Sequence, residues 1–166
     1  IVALAVRLLH VLQMSASPLF ADPAVDASSY AEHATRLAEG NWLGRGEGPF
    51  WQPPLYPYVL GLVKIVFPET FFYAARLLQA MIGALSCALV YWLGLREFNG
   101  GVGTLAGLAA ALYGPLIYFD ARLLPTGLAT FFLLVVLLLL LRAVKLPSRA
   151  IFAVTGAVLG ITTLTV

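Results

Sequence analysis

Two aspartates, Asp26 and Asp120, have the residue type and setting that could support acid–base chemistry. Asp26 opens the helix-like segment DASSYAEHATRLAE, one turn before Tyr30, and Asp120 lies at the end of an apolar run. A carboxylate within hydrogen-bond reach of a hydroxyl can accept its proton while that oxygen forms a new bond. Structural alternatives stay open for both residues, because Asp26 could instead cap the helix and Asp120 could merely end the apolar run.

Basic residues in apolar surroundings form a second group of candidates. Arg7 lies within an apolar helix, where a guanidinium is costly and usually faces a cavity or a partner. It could extend to the membrane interface, or it could pair with an acid or an anionic ligand. His10, one turn later, is predicted to be a hydrogen-bonded packing residue rather than a metal ligand. Arg76 and Lys64 are predicted to reach the lipid headgroups.

The composition indicates that these residues belong to a membrane protein. The chain has 166 residues, of which 61% are hydrophobic and 11% charged, and the mean hydropathy is +0.92. Soluble proteins are about 45–50% apolar and about 25% charged. The only cysteine is Cys87, which excludes a disulfide-stapled domain. A net charge of +2 with scattered cations argues against nucleic-acid binding, and the chain has no nucleotide-binding or zinc motif.

Charge-free runs of about 20 residues predict membrane-spanning helices. We therefore predict an all-α polytopic transmembrane bundle, a single domain over residues 1–166 with about five spans. The chain begins and ends inside apolar runs, so we expect a fragment of a longer protein whose first and last spans are truncated. The predicted spans are 1–14, 74–95, 101–119, 123–142 and 150–166.

The long loop at residues 15–73 is predicted to hold two helices, at 26–39 and 55–67. A helix of the second length reaches only about 20 Å, against about 30 Å of hydrocarbon, so it is predicted to be interfacial or re-entrant. The loop Arg142–Arg149 holds three basic residues and no acid, and the loop at 96–101 begins with Arg96. The positive-inside rule places both of these loops in the cytoplasm. Asp26 and Asp120 are therefore expected to share the extracytoplasmic compartment.

Five short motifs follow one another in a characteristic order. They are D-x-x-x-Y on the surface helix, AEG-x-W, PPLYPY, ARLLQA-x-x-GA and ALYGPLIYFDARLL. In order and spacing, the chain resembles the N-terminal part of the polyprenyl-phosphate-sugar-dependent GT-C glycosyltransferases. The most similar branch is that of protein O-mannosyltransferases and the lipid A aminoarabinose transferase. One departure is Pro125-Thr126-Gly127, where many relatives carry a Lys-Glu-like pair.

The resemblance implies an inverting glycosyltransferase of the cell envelope, such as the bacterial inner membrane. It would move a sugar from a polyprenyl-phosphate donor to a protein or glycolipid acceptor on the extracytoplasmic face. Asp26 corresponds to the family's catalytic carboxylate and Asp120 to its partner. No nucleotide cofactor is expected, no metal ligand is assigned, and a divalent cation is compatible with the pattern. Phosphate-binding cations and stacking aromatics are expected among Arg7, Tyr30, Trp51, Tyr56, Tyr58, Lys64, Arg76 and Arg122.

Two other functions fit the same composition. A transporter or flippase for a lipid or a polar solute would explain Arg7 as a pathway residue. Such proteins often carry internal repeats, but the PPLYPY segment occurs once in this sequence. A non-catalytic membrane scaffold would give Asp26 and Asp120 no reason to converge.

Overall fold

The computed structural model describes residues 1–44 and 52–165. This part of the chain is helical, with no strand, which confirms the predicted all-α class. A 3₁₀ helix at Pro18–Phe20 accompanies eight α-helices. The α-helices are α1 Val2–Met14, α2 Asp26–Ala38, α3 Leu55–Val66, α4 Phe71–Glu97, α5 Gly100–Leu112, α6 Gly114–Asp120, α7 Thr126–Lys145 and α8 Arg149–Thr163.

Within the described ranges, α4 and α7 are the two helices that are long and apolar enough to cross a membrane alone. They correspond to the predicted spans 74–95 and 123–142. Helices α1, α3 and α8 are apolar but shorter. Helix α3 matches the short segment predicted at 55–67, and α1 and α8 match the terminal segments. The total of five spans stays a prediction.

The segment predicted as the span 101–119 is broken into two helices, and whether it crosses the membrane stays a prediction. Helices α5 and α6 meet at Tyr113 and are bent by 54° relative to each other. The cause lies in Pro115, since proline has no backbone N–H to donate to the carbonyl four residues earlier, that of Ala111. Taken as one broken span, the pair raises the number of candidate spans in the described residues to three.

Helix α2, predicted at 26–39, forms at Asp26–Ala38 and is followed by Gly40, as predicted. Gly40 has a φ of 98°, and its N–H donates to the Leu37 carbonyl over 3.1 Å. Glycine adopts this left-handed conformation without strain, which makes it a favoured residue just after a helix. Tyr30, Ala34 and Leu37 are buried along one face. That face packs on α3, where a Cβ built on Gly61 would lie 2.9 Å from Leu37 Cβ.

The main hydrophobic core joins α2 and α3 to the long apolar helices. Its buried residues come from α2, α3, α4, α7 and the segment before α7: Ala27, Tyr30, Ala34, Tyr56, Leu60, Phe71, Ala75, Leu123 and Leu128. At the opposite end of α4 and α7, Lys145 Nζ lies 2.7 Å from Glu97 Oε2. The two basic loops therefore lie on the same side of the bundle, as predicted.

Candidate active site

Asp26 is the first residue of α2, and its side chain is exposed. Within the described residues it makes no ion pair and no side-chain hydrogen bond. The N-cap position belongs to Val25, and no side chain caps the helix. The alternative that Asp26 serves as the N-cap is therefore wrong. An exposed and unpaired carboxylate in the first turn of a helix can accept a proton from a bound hydroxyl.

The backbone immediately before Asp26 is strained. Val25 has φ 59° and ψ −131°, and it is the one non-glycine residue with positive φ in the described chain. A β-branched residue is a genuine outlier in this region, and such strain costs about 1–3 kcal/mol. The Val25 carbonyl accepts from the Ser28 hydroxyl over 2.6 Å, which helps to hold the turn. Strain of this kind is characteristic of positions that orient a functional group.

Tyr30, one turn after Asp26 on α2, contacts Tyr56 of α3. Their rings meet edge to face with centroids 5.0 Å apart, and both side chains are buried. Burial raises the pKa of Tyr30, and the charge of Asp26 raises it further. Burial also raises the pKa of Tyr56 well above its usual value, and the Tyr56 hydroxyl has no partner among the described residues. The contacts of both rings are therefore structural, with little surface left for a sugar.

Asp120 forms a buried ion pair with Arg7. Arg7 Nε lies 2.6 Å from Asp120 Oδ2, and both side chains are almost fully buried. The same guanidinium donates from Nη1 to the carbonyls of Ala3 over 3.1 Å and Ala111 over 3.4 Å. Of the alternatives left open for Arg7, the structure therefore has the pairing with an acid. His10 Nε2, one turn later, is buried without a partner in the described chain.

Two glycines make room for this ion pair. A Cβ built on Gly83 of α4 would overlap Asp120 Oδ2 and lie 2.6 Å from Arg7 Nε. A Cβ built on Gly127 of α7 would lie 2.6 Å from Asp120 Oδ1. The adjoining cavity holds only about 10 Å³, which is the space of about one water molecule and far too small for a sugar. Asp120 thus joins α1, α4, α6 and α7 and lies away from open solvent.

Arg76 connects the segment after α1 to the segment after α6. Its Nε donates to the Ala121 carbonyl over 3.0 Å, and its Nη2 donates to the Leu19 carbonyl over 3.5 Å. Its guanidinium also lies 4.0 Å from the centroid of the Phe20 ring. Because Arg76 is only 1% exposed, its described contacts position the loops rather than a ligand. They also bring the loop before α2 and the loop after α6 to one end of the bundle.

Gln79 and Arg122 complete this arrangement after α6. Gln79, whose role the sequence reasoning missed, donates from Nε2 to the Arg122 carbonyl over 2.6 Å and to the Leu124 carbonyl over 3.2 Å. A lone amide inside a long apolar segment was the available signal. The Arg122 guanidinium lies 4.9 Å from the Tyr118 ring centroid, and its Nε has no partner among the described residues. Arg122 as a whole is half-buried, and this Nε atom is itself buried.

The remaining candidates are Lys64, Tyr58 and Trp51. Lys64 Nζ donates to the Pro68 carbonyl over 3.3 Å and lies 5.1 Å from the Phe71 ring centroid. The Tyr58 hydroxyl donates to the Trp42 carbonyl. Trp51 lies outside the described residues.

The core shows which candidates share a neighbourhood. Ala27 and Leu123 belong to one buried cluster, so the start of α2 and the segment after α6 pack into the same core. In the described part of the chain, no three metal-binding side chains of His, Cys, Asp or Glu come together. The structure thus offers an exposed carboxylate at the start of α2 and a half-buried guanidinium in the segment after α6.

Comparison with known proteins agrees with this architecture. Residues 51–165 match the model of the dolichyl-phosphate-mannose-protein mannosyltransferase family, which is of the GT-C type. The match covers about two thirds of the chain and includes Asp120 and Arg122, whereas Asp26 precedes it. Neither a curated protein nor a solved structure matches the chain.

Proposed function

The chain belongs to the dolichyl-phosphate-mannose-protein mannosyltransferase family, and on that premise we propose a specific reaction. The full-length protein transfers a sugar from a polyprenyl-phosphate donor to a hydroxyl of a protein or glycolipid acceptor. Transfer takes place on the extracytoplasmic face, with Asp26 as the general base. The observation that carries this proposal is the contrast between the two aspartates, since Asp26 is exposed and unpaired whereas Asp120 is buried against Arg7.

The base must accept a proton while the acceptor oxygen attacks the sugar carbon. Asp26 can do so because its carboxylate is open to solvent and has no described ion-pair partner. The new bond joins the acceptor oxygen to the sugar carbon, the bond from that carbon to the donor phosphate breaks, and the lipid phosphate leaves with the electron pair. One base suffices for this direct displacement, which inverts the sugar centre.

The leaving phosphate needs positive charge close by. Arg7 and Arg76 have their guanidinium groups buried against Asp120 and against backbone carbonyls, respectively. Arg122 is only half-buried and makes no ion pair within the described chain. We therefore assign the phosphate contact to Arg122 in preference to the other two arginines.

Transfer by the purified full-length protein tests this assignment, with a labelled polyprenyl-phosphate sugar as donor. Asp26→Asn is expected to lower kcat by about 10²–10⁴-fold, the usual contribution of a general base. Glu39→Gln is the matched control, because Glu39 is an exposed acid that follows the same helix. The assignment of Asp26 fails if Asp26→Asn and Glu39→Gln retain equal activity in equally folded protein.

A further inference from the structure

A groove on the outer flank of α2 has no part in the proposed reaction. It is open to the surface and has a volume of about 350 Å³ between α2, the segment before it, the end of α3 and the start of α4. Phe71, Phe72 and Ala31 form its apolar part. Its charged side chains are of both signs: Asp22, Glu32, Arg36 and Lys64.

The groove faces away from Asp26. Residues of an α-helix turn by about 100° each, so Ser28 and Thr35, which line the groove, lie roughly 180–200° around α2 from Asp26. Asp26 itself is not among the lining residues. A ligand in the groove would therefore not lie beside the proposed base.

The charges of the groove suit a ligand that is itself dipolar. Asp22 is exposed and has no ion-pair partner within the described residues, and Glu32 Oε2 lies 3.6 Å from Arg36 Nη2 at the exposed rim. The one side-chain hydrogen bond described for the Lys64 ammonium is to the Pro68 carbonyl. An anionic ligand would be repelled by Asp22 and Glu32, and a cationic ligand would be repelled by Lys64. A ligand that carries both charges can satisfy both sets.

Apolar side chains next to Lys64 indicate where the rest of such a ligand would lie. Ile65, Val66 and Phe67 follow Lys64 and are exposed by 47%, 66% and 50%, respectively. In a membrane protein, an exposed apolar surface that adjoins a charged groove fits an acyl chain below a polar headgroup.

We propose that this groove binds the headgroup of a zwitterionic aminophospholipid, with the phosphate at Lys64 and the primary ammonium at Asp22 and Glu32. A primary ammonium has three hydrogen-bond donors for the two carboxylates. A choline headgroup lacks these donors, and a glycerol headgroup lacks the positive charge. The site therefore discriminates by both charge and hydrogen bonding.

Lipid retention by the full-length protein tests the proposal. Native mass spectrometry would follow delipidated protein given equal amounts of phosphatidylethanolamine, phosphatidylcholine and phosphatidylglycerol with the same acyl chains. Phosphatidylethanolamine should be retained best. Asp22→Asn should weaken its retention by about three- to five-fold, the scale of an exposed ion pair, and should not weaken the retention of phosphatidylglycerol. Lys64→Gln should weaken the retention of all three lipids.

Matched controls are Glu39→Gln, at the end of α2 but outside the groove, and Lys145→Gln, at the opposite end of the bundle. Equal retention of the three lipids, or retention unchanged by Asp22→Asn and Lys64→Gln, would overturn the proposal. A change in the KM for a peptide acceptor with unchanged lipid retention would also overturn it, and would make the groove an acceptor site. Because Asp22→Asn should leave kcat unchanged, failure here is distinct from failure of the Asp26 assignment.

Discussion

Arg7 Nε lies 2.6 Å from Asp120 Oδ2, and this ion pair joins residues that are 113 positions apart in the chain. Gly83 of α4 and Gly127 of α7 pack against the pair, where a side chain would clash with the Asp120 carboxylate. A buried charge left without its partner destabilises a protein by about 3–5 kcal/mol. The pair therefore gives Asp120 a structural role, which is why we propose Asp26 for the transfer chemistry.

Removal of one partner of the pair should cost more than removal of both. Arg7→Met or Asp120→Leu alone leaves a buried charge, so we expect each to lower the free energy of unfolding by about 3–5 kcal/mol. The double variant Arg7→Met with Asp120→Leu should lose clearly less than the sum of the two. A double-mutant cycle measured by unfolding in detergent gives the coupling, and additive losses would contradict the structure.

The glycine beside the pair should not tolerate a methyl group. Gly83→Ala would push a Cβ into Asp120 Oδ2, so we expect a loss of about 1–3 kcal/mol from overpacking. Gly100→Ala is the control, because its Cβ would meet only Leu95 Cδ1 at 3.9 Å. That control should be neutral or slightly stabilising, since alanine favours helix more than glycine does. Equal unfolding temperatures for the two variants would contradict the packing.

Relief of the strain at Val25 should stabilise the fold. Glycine adopts a φ of 59° at no steric cost, so Val25→Gly should raise the free energy of unfolding by about 1 kcal/mol. Ala24→Gly, at the neighbouring position without positive φ, should lower it slightly through added freedom of the unfolded chain. If the strain also orients Asp26, Val25→Gly will reduce kcat despite its greater stability. If Val25→Gly has a lower free energy of unfolding than Ala24→Gly, the turn at Val25 is not strained.

The buried tyrosine of α3 predicts a pH dependence. Because the folded pKa of Tyr56 lies above the unfolded value of 10.0, its contribution to stability is present below pH 10 and is lost at higher pH. Tyr56→Phe should therefore flatten the alkaline fall in stability. At neutral pH it should be neutral or stabilising, since it removes a buried hydroxyl without a described partner. Unfolding temperatures from pH 7 to 11 test this, with Tyr118→Phe as the control on an exposed ring. If Tyr56→Phe is markedly destabilised at pH 7, the Tyr56 hydroxyl makes a stabilising hydrogen bond and this prediction is wrong.

Charge and hydrophobicity predict the long helices but not the contacts between them. Helices α4 and α7 follow from charge-free runs flanked by arginine, and α2 follows from its apolar face and Gly40. The break at Tyr113 was readable from Pro115, but a count of charges does not detect it. The Arg7–Asp120 pair could not be assigned, because a single sequence holds no signal for which distant acid meets a buried arginine. The bonds from Arg76 to Leu19 and Ala121 are equally non-local, since they depend on how two loops fold over one helix.

The most direct test compares Asp26→Asn with Asp120→Asn in the full-length protein, with sugar transfer expressed per folded molecule. The account predicts that Asp26→Asn leaves stability unchanged and lowers kcat by about 10²-fold or more. It predicts that Asp120→Asn lowers the unfolding temperature, while the molecules that remain folded keep most of their activity. The opposite pattern, with full transfer by Asp26→Asn and none by folded Asp120→Asn, would contradict the account.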